Sequence, residues 1–149
     1  CWRQNAGDTF ACREAYPGAI GRVDVVRAIH LEGGRAVGRL FLYAGGRHYE
    51  LHEYPTGTEG FWLVNKDPLE VKKQTCKLEE KHPLGRLFYM DVLNAQGASV
   101  SRRDLGLPPR RCLICGEEAA VCARSRAHAM EDLLAVIRQT VAAVLGRGS

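Results

Sequence analysis

Residues 101–128, SRRDLGLPPRRCLICGEEAAVCARSRAH, carry six arginines and three cysteines. Three chemistries suit such a stretch: a zinc site, a nucleic-acid surface, or a pocket for a polyphosphate. Cys112 and Cys115 form a C-x-x-C pair, and Cys122 and His128 follow, so three thiolates and an imidazole are available for tetrahedral zinc. The gaps of two, six and five residues are more compact than those of a zinc finger or ribbon. A redox role is disfavoured, because the pair does not follow a strand and open a helix in a βαβ unit. The plain alternative is three small thiols packed in a core.

The arginines come largely in pairs: Arg102 with Arg103, Arg110 with Arg111, and Arg124 close to Arg126. A guanidinium stays charged and pairs bidentately with phosphate oxygens. Single-stranded nucleic acid would call for interleaved aromatic residues, and residues 99–128 contain no Phe, Tyr or Trp. Convergence of the pairs on one polyphosphate is the sharper reading. Asp91, a carboxylate among apolar neighbours, would then hold Mg²⁺ bridging the phosphates. The bland reading is a set of solvated arginines with an incidental acid.

These residues need elements to place them. Asp67-Pro68 is an N-cap followed by a first-turn proline, and Val71, Thr75 and Leu78 form a thin helical stripe ending before His82-Pro83. On that helix Lys72, Lys73, Lys77, Glu79 and Glu80 read as a solvated face. RLFYMDVLN, 86–94, alternates as a strand, with Phe88, Met90 and Val92 on one side and Leu87, Tyr89, Asp91 and Leu93 on the other. Gly97 turns it into a hairpin returning through ASVSR. Met130, Leu133, Leu134, Ile137, Val141 and Val144 make the core stripe of a helix over about 129–145. Arg124 and Arg126 precede its anion-attracting N-terminus.

Upstream, RHYELHEY at 47–54 and FWLV at 61–64 read as strands around a Pro55-Thr56-Gly57 turn. His48 and His52 share a strand face, where exposed histidines are commoner than a metal pair. Tyr16-Pro17-Gly18 is a turn signal, and Val26, Ile29, Gly33, Val37, Leu40 and Ala44 space as a helix weakened at Gly33-Gly34.

The whole chain, 149 residues with 46% hydrophobic content, suits one domain with a real core. A net charge of +4 says little by itself about a partner. No apolar run reaches the roughly 18 residues of a membrane span. The start, Cys1-Trp2-Arg3, has no signal-peptide pattern and no initiator Met, so we expect the natural chain to begin further upstream. Six cysteines without a secretory signal point to reduced thiols and a cytoplasmic protein.

Residues 81–134 resemble the bacterial citrate lyase phosphoribosyl-dephospho-CoA transferases, the holo-acyl-carrier-protein synthases of citrate lyase. HPLGRL at 82–87, SRRDLGLPPRRCLICG at 101–116 and CARSRAH at 122–128 carry the likeness. YPGAIGRVDVVRAIHLEGGRAV at 16–37 matches the family's Pro-Gly turn and following helix more loosely. The resemblance implies a single α+β domain over 1–149, a largely antiparallel sheet with packed helices, nucleotidyltransferase-like. It also implies transfer of the prosthetic group from 2′-(5″-triphosphoribosyl)-3′-dephospho-CoA to a serine of the apo acyl carrier subunit, with diphosphate leaving. The partners would be that carrier and that donor, with no nucleic acid and no membrane.

By chemistry, Asp91, His82 and Arg86 are the catalytic candidates, with Asp91 also the Mg²⁺ ligand. Arg102, Arg103, Asp104, Arg110, Arg111, Arg124, Arg126 and His128 are the donor-binding candidates, Asp104 orienting Arg102 or Arg103. Three departures stand out. Tyr89 replaces the first acid of the family's Asp-x-Asp, Ala129 replaces a hydroxyl helix cap, and Gly21-Arg22 stands where a lysine is usual. Tyr89 motivates one rival, a degenerate member that binds the carrier without transfer. The cysteines motivate another, a non-enzymatic zinc-stabilised binding module.

Overall fold

The computed structural model describes residues 9–11, 36, 39, 46–54 and 57–146. Tyr16-Pro17-Gly18, Arg22, nearly all of the expected 24–44 helix and the Pro55-Thr56 corner lie outside the described residues. Five strands, β1 (Thr9–Ala11), β2 (Gly46–Tyr54), β3 (Gly57–Val64), β4 (Val92–Leu93) and β5 (Ser99–Val100), form one sheet in the order β2-β3-β1-β4-β5. Every pairing in it is antiparallel. Helices α1 (Pro68–Lys81), α2 (Ala119–Ser125) and α3 (Met130–Leu145) complete a mixed α+β architecture. No helix among the described residues is long and apolar enough to cross a membrane.

The core follows the sequence pattern. Trp62 and Val64 of β3, Val71 of α1, Phe88, Met90 and Val92, and Ile137 and Val141 of α3 are buried in one apolar cluster. Met130 departs from the expected stripe, being 48% exposed at the start of α3. The first turn lies at the edge, and only further along does the helix cross the core.

Helix α1 begins as Asp67 dictates: its Oδ1 accepts from the Glu70 amide at 3.0 Å, satisfying one of the orphan donors of the first turn. Its C-cap is His82, with the backbone turning extended before Pro83. A 3-10 turn, Gly85–Leu87, then folds back against the end of α1. Gly85 is required there by contact, not by dihedral. A β-carbon would stand 2.7 Å from the Leu78 carbonyl oxygen and equally close to the Glu79 carbonyl carbon. Gly85→Ala should therefore cost about 1–3 kcal/mol by overpacking, read as a lower denaturant midpoint at unchanged slope.

Two segments depart from the sequence expectation. Residues 86–94 are not one strand. Gly85–Leu87 is a 3-10 turn, residues 88–91 join no ladder, and only Val92–Leu93 pair as β4. The alternation from Phe88 to Val92 nevertheless holds, with Phe88, Met90 and Val92 buried and Tyr89 exposed. The reason is local. The Met90 amide donates to Glu79 Oε1 at 3.3 Å, and its carbonyl accepts from Lys72 Nζ at 2.9 Å. Side chains of α1 take the place of a strand neighbour.

That arrangement also corrects the solvated face expected on α1, since Lys72 and Glu79 are only 6% and 5% exposed. Lys73, Lys77 and Glu80 are exposed as expected. The second departure is helix α2, which the residue pattern does not announce, so Arg124 lies within a helix and Arg126 at its C-cap. The N-terminus of α3 is also less inviting to anions than expected, because Glu131 and Asp132 occupy its first turn. Ala129 has the extended backbone of an N-cap, φ −65° and ψ 148°, but no side-chain cap bond. Ala129→Ser should add about 1 kcal/mol, raising the melting temperature by about 2–4 °C.

Candidate functional site

The segment 88–91 runs beside Lys72, Glu79 and His82. Glu79 reaches it from α1 and binds more than Met90. Its Oε2 lies 3.3 Å from Arg102 Nη1, and its Oε1 lies 3.9 Å from Arg110 Nη1. Burial pushes the Glu79 carboxyl above the usual carboxylate range, against the pull of Arg110, Lys72 and Arg102. Arg102 also pairs with Glu80 and donates from Nε to the Pro108 carbonyl at 3.0 Å. Two arginine pairs thus do converge, but on a carboxylate of the protein's own. Each pair sends one member inward: Arg102 and Arg110 are half-buried, while Arg103 and Arg111 are exposed.

Asp91 follows Met90 directly and is half-buried. Its position along the chain is therefore set by the grip of Lys72 and Glu79 on its neighbour. His82 lies half-buried at the end of α1, its ring 4.9 Å from that of Phe88. Its Nδ1 accepts from the Leu84 amide at 3.1 Å, so a neutral ring carries its proton on Nε2. Arg86 projects from the 3-10 turn and donates from Nη2 to the carbonyls of Arg111 and Cys112, at 2.7 and 3.1 Å. Arg110 answers by donating to the Arg86 carbonyl at 3.0 Å.

The remaining candidates divide clearly. Arg111 Nη1 donates to the Gly116 carbonyl at 3.1 Å. Asp104 accepts from the Ser101 amide and hydroxyl, at 2.7 and 2.8 Å, which holds its carboxyl below the usual range. Its partner is thus Ser101 and not the expected arginine. The guanidinium groups of Arg103, Arg124 and Arg126 are exposed and make no hydrogen bond or ion pair among the described residues. Glu79 and Lys72 are the members that sequence reasoning missed. The signal was present: both neighbour the inward-facing Val71–Thr75–Leu78 stripe rather than the far side of the helix.

The second grouping is a Cys3His cluster that could hold a metal ion. One ligand atom each from Cys112, Cys115, Cys122 and His128 lies within 4.8 Å of all the others. Cys115 Sγ is 3.5 Å from Cys122 Sγ and 3.3 Å from His128 Nε2. The thiols are free, as is the buried Cys76. Backbone amides of Cys115 and Ile114 draw Cys112 down to about 6, while the neighbouring Cys115 thiol pushes Cys122 up to about 12. His48 lies on β2 and His52 stacks edge-on against Phe61 at 5.7 Å. Among the described residues His52 belongs to no metal-ligating group.

The mixed α+β architecture gathers guanidinium forks on the helix-borne Glu79 carboxylate, and comparison with known proteins gives the family. The model of the apo-citrate lyase phosphoribosyl-dephospho-CoA transferases matches residues 3–144, and the chain belongs to that family. Curated relatives of that name in Escherichia coli O9:H4 (strain HS) and Shigella boydii serotype 18 (strain CDC 3083-94 / BS512) are each 41% identical over 123 residues. Those alignments cover 79% of this chain and 66% of each relative, so the chain spans just under two thirds of their length.

Proposed function

We propose that this chain transfers the phosphoribosyl-dephospho-CoA group from 2′-(5″-triphosphoribosyl)-3′-dephospho-CoA to a serine of the apo acyl carrier protein of citrate lyase. Family membership across residues 3–144 is the observation that carries the reading. The chain would act as one nucleotidyltransferase-like domain in the cytoplasm. The serine oxygen attacks the α-phosphorus, the bond to the bridging β-oxygen breaks, and diphosphate departs. Asp91 accepts the serine proton, and His82 contacts the leaving group. The chemistry otherwise rests on positioning and on charge stabilisation.

The arginines divide the work. Arg103, Arg124 and Arg126, whose forks are unengaged among the described residues, take the phosphates of the donor. Arg86, Arg102, Arg110 and Arg111 hold the backbone that presents them. One carboxylate with substrate phosphates is a sufficient protein share for magnesium, so Asp91 alone fits that ion despite Tyr89. Magnesium there would neutralise charge on the leaving diphosphate. No step passes through the thiolates.

Incubating the protein with donor, Mg²⁺ and apo carrier should raise the mass of the carrier by one prosthetic group. A folded protein that leaves the carrier mass unchanged would reject transfer. Carrier binding without a mass gain would identify the degenerate alternative instead.

A further inference from the structure

The geometry points to a closed, structural zinc site at Cys112, Cys115, Cys122 and His128, and we propose that it is the fastening of the arm that carries the arginines. Tetrahedral zinc with bonds of about 2.3 Å to sulfur and 2.0–2.1 Å to nitrogen sets ligand-to-ligand edges of roughly 3.5–3.8 Å. The separations of 3.5 Å between Cys115 and Cys122 sulfurs, and 3.3 Å from Cys115 to His128, sit close to that figure. All four ligand atoms fall within 4.8 Å of one another, so the longest edge needs to close by only about 1 Å to reach tetrahedral zinc geometry. Three sulfurs and a nitrogen suit zinc over the harder divalent cations.

The backbone is arranged for this purpose. Cys112 and Cys115 lie in a tight turn that is closed by the Arg111–Glu118 bridge and by the Ala119 amide on the Arg110 carbonyl at 2.8 Å. Gly116 in that turn has φ +76°, which a β-carbon would strain. Cys122 comes from α2. Arg126 then takes the left-handed conformation, φ 51°, and the reversal returns His128 to Cys115.

A second observation stands apart from the distances. Between Pro108 and His128 only Cys122 is buried, and Ile114 and Val121 are exposed. From residue 101 to residue 132 only Leu113 packs against the core cluster. So little apolar burial does not offset the entropy of ordering such a segment. A four-ligand ion supplies the missing crosslink, as structural zinc does in small domains. The arm then reaches the body through Arg86 and Arg110, and through Arg110 it reaches Glu79. With four protein ligands no position remains for water, so the ion shapes and does not catalyse.

Metal content is measured with neither donor nor carrier present, so this inference and the transfer reaction can fail separately. Purified full chain should contain about one zinc per molecule. Cobalt in its place should give the intense visible absorption of a tetrahedral thiolate site. Cys115→Ser and His128→Asn should each lose zinc at least tenfold on dialysis against a chelator, while Cys76→Ser retains it. If those variants do not fold, the wild type decides: mercurial titration of its thiols should release about one zinc per chain. Folded protein that holds no zinc and gives no cobalt spectrum overturns the proposal. So does a disulfide among Cys112, Cys115 and Cys122, or zinc kept undiminished by Cys115→Ser.

Discussion

Asp91→Asn is expected to lower transfer by about 10²-fold or more while leaving the fold intact, because the substitution removes the proton acceptor and the charge that the proposed mechanism assigns to this position. The shape of the residue is kept, and its half-buried position carries none of the Met90 bonds that order the segment. Its melting curve should therefore stay within about 0.5 kcal/mol of wild type. Single-turnover transfer followed by carrier mass, beside thermal melting, separates the two effects. Wild-type rates in this variant would remove Asp91 from the chemistry. The companion change is Tyr89→Asp. Tyr89 is 48% exposed, so an acid is tolerated there, and a second carboxylate near Asp91 should raise the rate at limiting Mg²⁺.

Glu79→Ala has the largest expected effect on stability, a loss of about 3–5 kcal/mol. The carboxylate is nearly inaccessible, and its removal takes away the anion that Arg102, Arg110 and the buried Lys72 feel, and leaves the Met90 amide without its acceptor. For a chain of this size that corresponds to a fall of about 10 °C in melting temperature. Glu79→Gln keeps an acceptor for Met90 and loses only the charge, so it should lie between wild type and Ala. Equal melting of the Ala variant and wild type would show that water can replace the Glu79 carboxylate.

Much of this was legible from residue order. Asp67-Pro68 marked the start of α1, His82-Pro83 its end, and the alternation grouped Phe88, Met90 and Val92, which are buried together, though Leu87 of the opposite set is buried too. What the order of residues could not convey was which polar groups satisfy which backbone atoms. RLFYMDVLN has the composition of a strand, and nothing in it reveals that Lys72 and Glu79 replace a neighbouring strand at Met90. Charged residues on a helix are mostly solvated, so two that are buried escape a reading by residue type. For the thiols the spacing supplied the candidate ligands, but only the left-handed turn at Arg126 brings the fourth into range. The arginines read as one population; the fold sorts them into forks committed to carbonyls and carboxylates and forks left open.

The reciprocal grip of Arg86 and Arg110 has a consequence for how the molecule tolerates change. Each guanidinium fastens onto main-chain oxygens, one on the Arg111–Cys112 segment and the other on Arg86 itself. Such a clasp is blind to the identity of the side chains beside the oxygens it holds, and sensitive to their spacing. Point changes at Leu87 or Leu113 would perturb packing yet leave the clasp closed. A residue inserted between Arg110 and Cys112 would shift the acceptors of that segment out of register with Arg110 and open the clasp, with no charge altered.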